Sequence, residues 1–473
     1  MNIESQSLGV LILAAGKGTR MHSEKPKVLQ ALLEEPLVYY PIKAARDAGL
    51  SDVAVLVGHR GDMVESYLKD EWENVDVVWQ SEQLGTGHAV MVAMDWWSKF
   101  DNLLVLNGDV PLVRPETLSG LVDKHFNLRP QCSFLSTITD DPTGYGRVVR
   151  LADGGVRIVE DKDALDDEIK INEINAGVYL FSCEALSVVI SQVGRKNALG
   201  EYYLPDTIHM ICETEGDVNV IICEDDRELM GVNTPLDLAE TARELNRRLM
   251  RGHMMKGLKC LDPSTTWIGP RVEFDEDVSL EPGVQIWGRS SFSNESSVGA
   301  YSTLRNVRLG ERSVVHAHSV ISDADIGADA AIGPFACLRG EVLMGNGAKI
   351  GRFVELKNSV VAEGAKVPHL SYIGDAEIGS GTNIGAGTIT CNYDGRDKHR
   401  TKIGSDCFVG SDTMFVAPVS MGDNASTAAG SVITRDVPNG ALAIARSRQS
   451  SIDGWHDRKD IREKYDETHG KES

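Results

Sequence analysis

The chain has 473 residues, of which 42% are hydrophobic and 25% charged, and its formal net charge is −22. This length exceeds what a single hydrophobic core organises, so we expect at least two domains of a globular, water-soluble protein. The acidic balance argues against a general binder of nucleic acid or of anionic membranes. It is compatible with a local basic pocket for a phosphorylated small molecule.

Two further features favour a cytoplasmic protein. The apolar run in MNIESQSLGVLILAAGKG is too short to span a membrane and has no basic leader, which argues against a signal peptide. The eight cysteines are scattered and form no CxxC pair, so free thiols in a reducing compartment are favoured over zinc sites or disulfides.

The first half of the chain alternates short apolar runs with amphipathic helical patterns. Buried strands are predicted for LGVLILAAG, VAVLVGH, VDVVWQ and NLLVLNGDV, and helices for PLVYYPIKAARDAG and GTGHAVMVAMDWWSKF. This alternation predicts an α/β domain over residues 1–235, with a Rossmann-like mixed sheet whose strands are mostly parallel. Residues 236–256 have helical spacing and predict a linker helix.

From about Leu258 onward, aliphatic residues return at every sixth position, as at Ile286, Phe292, Val298 and Leu304. A period of six makes neither one helical stripe nor one long strand. A short strand and a turn in each hexad, wound into a stacked coil, satisfy it, so residues 257–473 are predicted to form a parallel β-helix with a polar C-terminal tail. This half resembles the left-handed parallel β-helix of hexapeptide acyltransferases, and the handedness comes from that resemblance alone.

A glycine-rich turn follows the first predicted strand in LILAAGKGTRM. Open α/β sheets bind ligands at the carboxyl ends of their strands, and small residues let backbone N–H groups approach phosphate oxygens. Lys17 and Arg20 add positive charge. The turn is neither a Walker loop nor a dinucleotide fingerprint, because Met21 stands where the third glycine belongs. Phosphate binding and a plain strand-to-helix turn both explain the pattern.

Asp109 ends another buried strand, in LLVLNGDVPL. A buried carboxylate requires a partner, and a divalent cation at a strand end is one candidate. The alternative is that Asn-Gly-Asp simply forms a turn.

Seven motifs occur in one order along the chain: LAAGKGTRM, KPKVL, EQLGTGHA, GDVP, DPTGYGRV, EINAG and GVN. Together they resemble the set carried by sugar-1-phosphate uridylyltransferases. With the C-terminal hexads, they resemble the bacterial bifunctional enzymes of UDP-N-acetylglucosamine synthesis, which join an N-acetylglucosamine-1-phosphate uridyltransferase to a glucosamine-1-phosphate N-acetyltransferase. The resemblance covers nearly the whole chain and implies that the product feeds peptidoglycan and lipopolysaccharide synthesis.

The resemblance implies a set of nucleotide-sugar contacts: Leu13, Ala14, Ala15 and Gly16 on the uridine and phosphate side, Arg20 and Lys27 at the phosphates, Gln80, Gly85 and Thr86 at the uracil, Gly146, Glu160 and Asn175 at the N-acetylglucosamine, with Asn107, Gly108 and Asn233 beside them. It implies that Asp109 and Asn233 hold Mg²⁺, and that UTP and acetyl-CoA are cosubstrates. On this interpretation, Gly85 omits a side chain where the base lies flat, and Gln80 offers both a donor and an acceptor.

The hexad rhythm stops between residues 386 and 402, which we interpret as a loop excursion from the β-helix. Loops on rigid scaffolds commonly carry function, although a solvated turn with incidental charge also fits. His369 precedes this excursion in VPHLSYIG. By resemblance His369 is the general base, since an imidazole is suited to take a proton from an amine near neutral pH.

The resemblance implies two groups of contacts in the acetyltransferase half: Arg339, Lys357, Tyr372, Asn383 and Lys398 for glucosamine-1-phosphate, and Ala386, Asn392, Tyr393, Ser411, Ala429 and Arg446 for acetyl-CoA. One departure from the family pattern is Gly340-Glu341 where proline and glycine are usual, which removes a rigid residue and adds a negative charge beside Arg339. A rival interpretation makes Cys391 a nucleophile that forms an acetyl-enzyme.

The resemblance also implies a homotrimer that shares the acetyl site between subunits. Two other functions stay open at this point. In one, the β-helix is only a binding or regulatory platform, as in the guanine-nucleotide-exchange subunits of eukaryotic translation initiation. In the other, the chain is a plain nucleotidyltransferase with a structural β-helix, such as an ADP-glucose-forming enzyme.

Overall fold

The structure is a computed structural model that describes residues 6–152 and 154–455. It divides into two compact units, one of Met1–Gly252 with Ile268–Pro270 and the other of His253–Trp267 with Arg271–Ser473. The predicted polar tail therefore lies largely outside the described residues. None of the helices among residues 6–152 and 154–455 combines the length and the apolar composition that a membrane span requires.

The N-terminal unit alternates strands and helices, as the sequence predicts. Its strands are β1 Leu8–Ala14, β2 Ala31–Leu32, β3 Glu35–Pro36, β4 Asp52–Val57, β5 Val75–Trp79, β6 Asn102–Asn107, β7 Cys132–Ile138, β8 Arg147–Arg150, β9 Val156–Val159, β10 Glu173–Ser182 and β11 Val218–Cys223. Its helices are α1 Tyr39–Asp47, α2 Gly61–Glu71, α3 Thr86–Val92, α4 Met94–Trp97, α5 Pro115–Leu128, α6 Cys183–Val189, α7 Asp206–Glu213 and α8 Pro235–Met254, and 3₁₀ turns occupy Thr19–Met21, Lys27–Leu29, Ile190–Gln192 and Asp226–Leu229.

Nine of these strands form a mixed sheet with the central order β11-β7-β10-β6-β1-β4-β5, to which β8 and β9 are added through β10, and β2 and β3 pair separately. Strand β1 is parallel to both β4 and β6, whereas β10 is antiparallel to β6 and β7. Leu13 is paired with Asn107, so the carboxyl ends of β1 and β6 lie side by side. The loops after these two ends carry the glycine-rich turn and Asp109.

Helices cover both faces of this sheet, because β1 is apolar on both sides. Val10 and Ile12 belong to one buried cluster and Leu11 to the other, which is the alternation that a strand imposes. The predicted helix over residues 85–100 is in fact two short helices, α3 and α4, that meet at Ala93.

The predicted linker helix is α8, and it begins with a capping box. Asp237 Oδ2 accepts hydrogen bonds from the backbone N–H groups of Asn233 (2.8 Å) and Thr234 (2.9 Å), and Thr234 Oγ1 accepts one from Asp237 N (3.2 Å). The two compact units divide within this helix, between Gly252 and His253. The functional boundaries at 235 and 257 stay a prediction.

The C-terminal unit is built from short strands that stack in parallel. They are β12 Lys259–Cys260, β13 Trp267–Ile268, β14 Glu273–Phe274, β15 Ser279–Leu280, β16 Gln285–Trp287, β17 Ser291–Phe292, β18 Ser297–Val298, β19 Thr303–Leu309, β20 Val314–Val315, β21 Val320–Ile326, β22 Ala331–Ile332, β23 Cys337–Arg339, β24 Val342–Met344, β25 Lys349–Arg352, β26 Glu355–Lys357, β27 Val360–Val361, β28 Lys366–His369, β29 Tyr372–Gly374, β30 Ala376–Ile378, β31 Asn383–Ile384, β32 Ile389–Cys391, β33 Thr401–Ile403, β34 Phe408–Val409, β35 Met414–Val416, β36 Val419–Met421, β37 Ser426–Thr427, β38 Val432–Ile433 and β39 Leu442–Ala443.

The register of these strands confirms the hexad prediction. Ser279 pairs with Ser297 and Ser297 with Val314, so one turn of the coil takes 18 or 17 residues, which is about three hexads. The predicted inward residues Ile286 and Phe292 are 0% and 1% exposed. The unit is therefore a hexapeptide β-helix with an apolar interior.

One coil is longer, since Asn383 pairs with Phe408, 25 residues further on. The predicted excursion over 386–402 was too wide, because β32 lies within it and pairs with β29 and β35 in the ordinary way. Thr390 takes the inward position there, 1% exposed, and its hydroxyl is satisfied by Gly374 O at 3.0 Å. The loop itself covers residues 392–400.

Two candidate active sites

The glycine-rich turn after β1 brings Lys27 close to the sheet edge. Gly18 has φ +58°, and a methyl group added there would lie 2.5 Å from Lys27 Cβ. Glycine is therefore required at this position for both its backbone conformation and its contact with Lys27.

A polar cluster joins four segments at the carboxyl end of the sheet. Lys27 Nζ forms an ion pair with Asp109 Oδ2 and lies 3.2 Å from Asn233 Oδ1. Arg20 Nη2 donates to the same Asn233 Oδ1 at 2.8 Å. The Lys27 and Asp109 side chains are 14% and 21% exposed, so this ion pair is partly screened from water. The sequence predicted each of these residues, and the structure brings all four together.

Asn233 is held in position by contacts at the start of α8. Its backbone is held by the Asp237 carboxylate, and the neighbouring Val232 N donates to Asp109 O at 2.9 Å. The Thr-x-x-Asp capping pattern was the sequence signal for this arrangement, and our sequence analysis did not use it.

The donor set at this cluster fits a magnesium ion. Asp109 and Asn233 supply one carboxylate and one amide oxygen, and Mg²⁺ is commonly held by one or two carboxylates together with substrate phosphates. Among residues 6–152 and 154–455, no group of three or more His, Cys, Asp or Glu side chains is placed to bind a metal ion. The oxygens of Asp109 and Asn233 now meet Lys27 and Arg20, which shows that this position favours positive charge.

Gln80, Gly85 and Thr86, the residues that the sequence analysis assigns to the uracil, lie close together at the start of α3. Gln80 is 3% exposed, and its Nε2 lies 2.9 Å from His88 Nδ1 and 3.4 Å from Gly85 O. Gly85 has φ +107°, and a methyl group there would lie 2.5 Å from the carbonyl oxygen of Tyr202. Glycine is thus required here by the protein's own backbone, and the base contact inferred from the sequence stays a prediction.

Thr86 contacts the same segment that Gly85 does, the one that contains Tyr202. Its Oγ1 accepts a hydrogen bond from Leu204 N at 3.1 Å. The hydroxyl therefore anchors the segment around residue 203 against α3, a role that the sequence did not predict.

Gly146, Glu160 and Asn175, the residues that the sequence analysis assigns to the sugar, also lie close together. Asn175 N donates to Gly146 O at 2.8 Å, and a methyl group on Gly146 would lie 3.3 Å from Glu160 Oε1. Asn175 Nδ2 donates to Tyr179 Oη at 2.6 Å. Burial, together with the charges of Asp206, Asp163, Asp161 and Glu201, raises the pKa of Glu160 to about 7.

Asn107 and Gly108 lie beside the polar cluster. Gly108 N donates to Leu13 O at 2.9 Å, and a methyl group on Gly108 would lie 3.0 Å from that oxygen. Asn107 packs against Gly177, whose φ is +71° and whose added methyl would lie 2.2 Å from Asn107 Nδ2. The predicted residues Leu13, Ala14, Ala15 and Gly16 lead from β1 into this edge.

In the C-terminal unit, four predicted residues form a column along one corner of the β-helix. Strand partners Lys366, Asn383, Phe408 and Ser426 are in register on successive coils. The residues three positions after each of them are His369, Ala386, Ser411 and Ala429. His369 is exposed at this corner. Arg446 joins the column, because its Nη1 donates to Ala429 O at 2.8 Å.

The predicted phosphate-binding residues lie on the face that follows this corner. Arg339 and Lys357 are paired in register on adjacent coils. Contact with Lys357 lowers the pKa of Lys398, so the two ammonium groups are neighbours. Two adjacent ammonium groups repel each other and favour an anion between or beside them.

The acid beside Arg339 is Glu355, which the sequence analysis missed. Arg339 Nε donates to Glu355 Oε1 at 2.8 Å, and this contact raises the pKa of Arg339. The strand register, which places Glu355 one coil beyond Cys337, produces the pair and is not readable from local sequence. Gly340 has φ +67°, and a methyl group there would lie 2.1 Å from Asn358 Oδ1, so glycine fits the turn that the departure from the family pattern creates.

The loop over 392–400 begins beside Tyr372. A methyl group on Gly374 would lie 2.5 Å from Tyr372 Oη and 2.9 Å from Asn392 Nδ2, so both groups crowd this glycine. Tyr393 is bridged to Lys398 across the loop, and its hydroxyl donates to Gly395 O at 2.7 Å. Asn383 lies on the face before the corner, so it and Tyr372 flank the His369 column from opposite sides.

Cys391 lies half-buried on β32, paired in register with Val416. His399, the histidine nearest to it in sequence, is bonded to Asp394 Oδ2 at 2.7 Å. The structure therefore gives this imidazole a partner other than the thiol. None of the eight cysteines forms a disulfide.

Comparison with known proteins agrees with this geometry. Residues 10–164 match the MobA-like NTP transferase domain, and residues 400–435 match the bacterial transferase hexapeptide family. The chain is 43% identical over 467 residues to the bifunctional protein GlmU of Corynebacterium efficiens. This alignment covers 97% of this chain and 96% of that protein.

Two further relatives carry the same name. The bifunctional protein GlmU of Caldanaerobacter subterraneus subsp. tengcongensis is 42% identical, with 95% of this chain and 98% of that protein covered. The bifunctional protein GlmU of Streptomyces avermitilis is 43% identical, with 95% of this chain and 94% of that protein covered. The chain belongs to the GlmU family.

Membership of the GlmU family confirms the predicted function. The chain is a bifunctional transferase, with acetyltransferase and uridyltransferase activities, for the synthesis of UDP-N-acetylglucosamine. The GlmU relatives match both halves of the chain, which argues against a β-helix that is only a platform and against a plain nucleotidyltransferase.

Proposed function

We propose that the two GlmU activities use two separate sets of residues, one in each unit. Uridylyl transfer takes place at the cluster of Lys27, Asp109 and Asn233, and acetyl transfer takes place at the corner that carries His369. The proposal is supported by one observation above all: each unit brings two cationic side chains close together, Arg20 and Lys27 in one and Lys357 and Lys398 in the other. The chain acetylates glucosamine-1-phosphate first and then couples the product to UTP.

In uridylyl transfer, a phosphate oxygen of N-acetylglucosamine-1-phosphate attacks the α-phosphorus of UTP, and pyrophosphate leaves. The obstacle is crowded negative charge, so Lys27 and Arg20 act by neutralising and aligning the phosphates. Asp109 and Asn233 would hold Mg²⁺, which when bound supplies further charge neutralisation. No general base is required, because the attacking phosphate monoester is already ionised.

Two groups of residues select the substrates of this step. Gln80 and the Gly85-Thr86 turn lie at the uracil, where a buried amide offers both a donor and an acceptor. Gly146, Glu160 and Asn175 lie at the sugar. This assignment is supported by the hydrogen bond from Asn175 N to Gly146 O and by the nearness of Glu160, whose Oε1 would lie 3.3 Å from a methyl group added to Gly146.

In acetyl transfer, His369 accepts a proton from the glucosamine nitrogen as this nitrogen attacks the thioester carbon of acetyl-CoA. The carbon–sulfur bond breaks, and coenzyme A leaves as a thiolate that takes up a proton. Arg339, Lys357 and Lys398 hold the sugar phosphate, with Tyr372 and Asn383 on either side of the corner.

The acetyl-CoA path follows the corner column. Ala386, Ser411 and Ala429 have small side chains, so the column offers a continuous strip of backbone for an extended cofactor. Asn392 and Tyr393 border the strip from the loop, and Arg446 meets a phosphate of coenzyme A at its end.

We also propose that the chain forms a homotrimer in the cytoplasm. The trimer is supported by apolar side chains that face outward from the β-helix, including Phe353 at 56%, Leu370 at 62% and Phe408 at 58% exposure. Such a surface favours association between copies. Light scattering on the purified protein should give three times the mass of the chain, and a monomer would remove this part of the proposal.

One assay series tests the two-site proposal. One reaction contains glucosamine-1-phosphate and acetyl-CoA, and the other contains N-acetylglucosamine-1-phosphate, UTP and Mg²⁺. We expect N-acetylglucosamine-1-phosphate in the first and UDP-N-acetylglucosamine in the second. Omission of Mg²⁺ should stop only the second, and a product in one reaction alone would contradict the proposal.

A further inference from the structure

One corner of the β-helix carries a ladder of polar residues in the left-handed backbone conformation. Asn306, Asp323, Asn358 and Asp375 have φ of 52°, 53°, 45° and 49°. Gly340 occupies the equivalent position between Asp323 and Asn358, with φ +67°. Asparagine and aspartate tolerate this conformation better than most residues, so the ladder is first of all a turn-forming device.

The ladder contains two similar pairs. Asn306 Nδ2 donates to Asp323 Oδ1 at 2.9 Å, and Asn358 Nδ2 donates to Asp375 Oδ1 at 3.3 Å. In both pairs the partners are 17 residues apart. Asp323 and Asp375 therefore have the same structural role on different coils, since each accepts a hydrogen bond from the asparagine of the preceding coil.

Asp375, unlike Asp323, also forms two hydrogen bonds with residues at the ends of the loop over 392–400. Asn392 Nδ2 donates to Asp375 Oδ2 at 2.5 Å, and Thr401 N donates to Asp375 O at 3.2 Å. The loop over 392–400 is therefore held at both ends by one residue. Asn392 is 7% exposed, so its amide requires a partner within the protein.

Asp375 interacts with residues from both proposed substrate subsites. The Asn392 amide that it holds is packed beside Gly374, against which the Tyr372 hydroxyl also lies. The carboxylate attracts the Lys398 ammonium and so opposes the repulsion from Lys357. One side chain thus acts on residues proposed for acetyl-CoA and on residues proposed for glucosamine-1-phosphate.

We infer that Asp375 is a positioning residue for acetyl transfer, which holds Asn392 and its loop so that Asn392, Tyr393 and Lys398 face the two substrates together. The inference rests on the function proposed for these three residues. We assign Asp375 no contact with a substrate, and its proposed effect passes through Asn392 and the loop.

The test compares Asp375→Asn with Asp323→Asn in the full-length protein. Both variants lose one carboxylate from the same ladder, but only Asp375→Asn alters a carboxylate that accepts a hydrogen bond from Asn392 at the start of the loop. We expect Asp375→Asn to raise the KM for acetyl-CoA about tenfold or more with a smaller change in kcat, and Asp323→Asn to stay within about twofold of the parent. Uridylyl transfer, which we assign to the other unit, should be unchanged in both variants, and thermal unfolding followed by circular dichroism reports whether the β-helix is folded.

A second pair, Asp375→Gly and Asp323→Gly, covers the case in which an asparagine variant does not fold. Glycine adopts a positive φ without strain and already stands in this ladder at Gly340. The glycine variants should give the same contrast in KM. Equal KM values in the Asp375 and Asp323 variants, in either pair, would overturn the inference.

Asn392→Ala separates this inference from the proposed function. If Asn392→Ala leaves the KM for acetyl-CoA unchanged, the role proposed for Asn392 is wrong and the inference is overturned with it. If Asn392→Ala raises that KM but Asp375→Asn does not, only the inference is overturned. If both variants raise the KM for acetyl-CoA, the double variant should have a KM close to that of Asp375→Asn alone, because the two substitutions break the same contact.

Discussion

The ammonium group of Lys27 contacts the carboxylate of Asp109, the residue proposed to hold a metal ion. The same lysine reaches the second proposed ligand, Asn233 Oδ1, at 3.2 Å. A residue proposed to bind phosphate therefore contacts both oxygens that a cation would need. Lys27 and a divalent cation should compete for this position until nucleotide phosphates attract the lysine.

Replacement of Lys27 by alanine should consequently have two opposite effects. Uridylyl transfer should fall about a hundredfold, since a cation that stabilises the transferring phosphate is lost. Binding of Mn²⁺ without nucleotide should become several-fold tighter, because Asp109 no longer has an internal partner. Electron paramagnetic resonance of free Mn²⁺ measures the second effect independently of activity.

Lys17→Ala is the matched control for this variant. Lys17 lies exposed in the same glycine-rich turn, so its replacement makes the same change in charge. Its Mn²⁺ affinity should equal that of the parent. Equal affinities in Lys27→Ala and Lys17→Ala would contradict the competition.

The raised pKa of Glu160 predicts a stability effect that depends on pH. Its pKa lies near 7 in the folded protein, against 4.5 ordinarily, so the folded state binds this proton more tightly than the unfolded state does. Stability from this group is present at low pH and is lost as the pH rises from about 4.5 to about 7. Glu160→Gln should therefore raise the melting temperature at pH 8 by a few degrees and leave it nearly unchanged at pH 5.

Thermal unfolding of the parent and of Glu160→Gln at both pH values checks this prediction. Other groups also titrate, but they are common to the two proteins and cancel in the difference. A stabilisation of the same size at pH 5 and pH 8 would mean that Glu160 is already ionised at pH 5. The proposed sugar site would then carry a full charge throughout.

Gly85→Ala should destabilise the N-terminal unit more than Gly144→Ala does. Both glycines have positive φ, but a methyl group on Gly85 would lie 2.5 Å from Tyr202 O, whereas nothing lies within 4 Å of one on Gly144. Backbone strain alone predicts a loss of about 1–2 kcal/mol at Gly144. Chemical denaturation should give a larger loss at Gly85, and equal losses would show that the Tyr202 contact relaxes freely.

Cys391→Ala should retain acetyl transfer within about twofold of the parent, since we assign no chemical step to the thiol. Steady-state assays with acetyl-CoA and glucosamine-1-phosphate measure this. Loss of activity in a folded Cys391→Ala protein, or a covalent acetyl-cysteine trapped by mass spectrometry, would favour the acetyl-enzyme route.

The β-helix could be predicted from the sequence because its signal is local and repeated. Each inward residue, such as Ile286 or Phe292, is one member of a long series, so a single irregularity does not hide the period. The predicted loop boundary was wrong because it relied on the same period of apolar residues, which is interrupted at residue 390. Thr390 is a polar residue at an inward position, and only its hydrogen bond to Gly374 O makes that position acceptable.

Contacts between distant segments could not be predicted. The reason for Gly85 depends on Tyr202, more than a hundred residues away, and the partner of Arg339 depends on a coil length that places Glu355 in register. Family resemblance supplied the list of site residues without these partners. Asp375, which positions the loop over 392–400, became visible only in three dimensions, whereas Asp237 could have been recognised from the local Thr-x-x-Asp capping pattern.

The most direct test of the account is to measure both activities of two variants, Asp109→Asn and His369→Ala. Asp109→Asn should lose uridylyl transfer by about a hundredfold or more and keep acetyl transfer. His369→Ala should lose acetyl transfer by about a hundredfold to ten-thousandfold and keep uridylyl transfer. A folded variant that loses both activities together, or a His369→Ala protein with full acetyl transfer, would contradict the account.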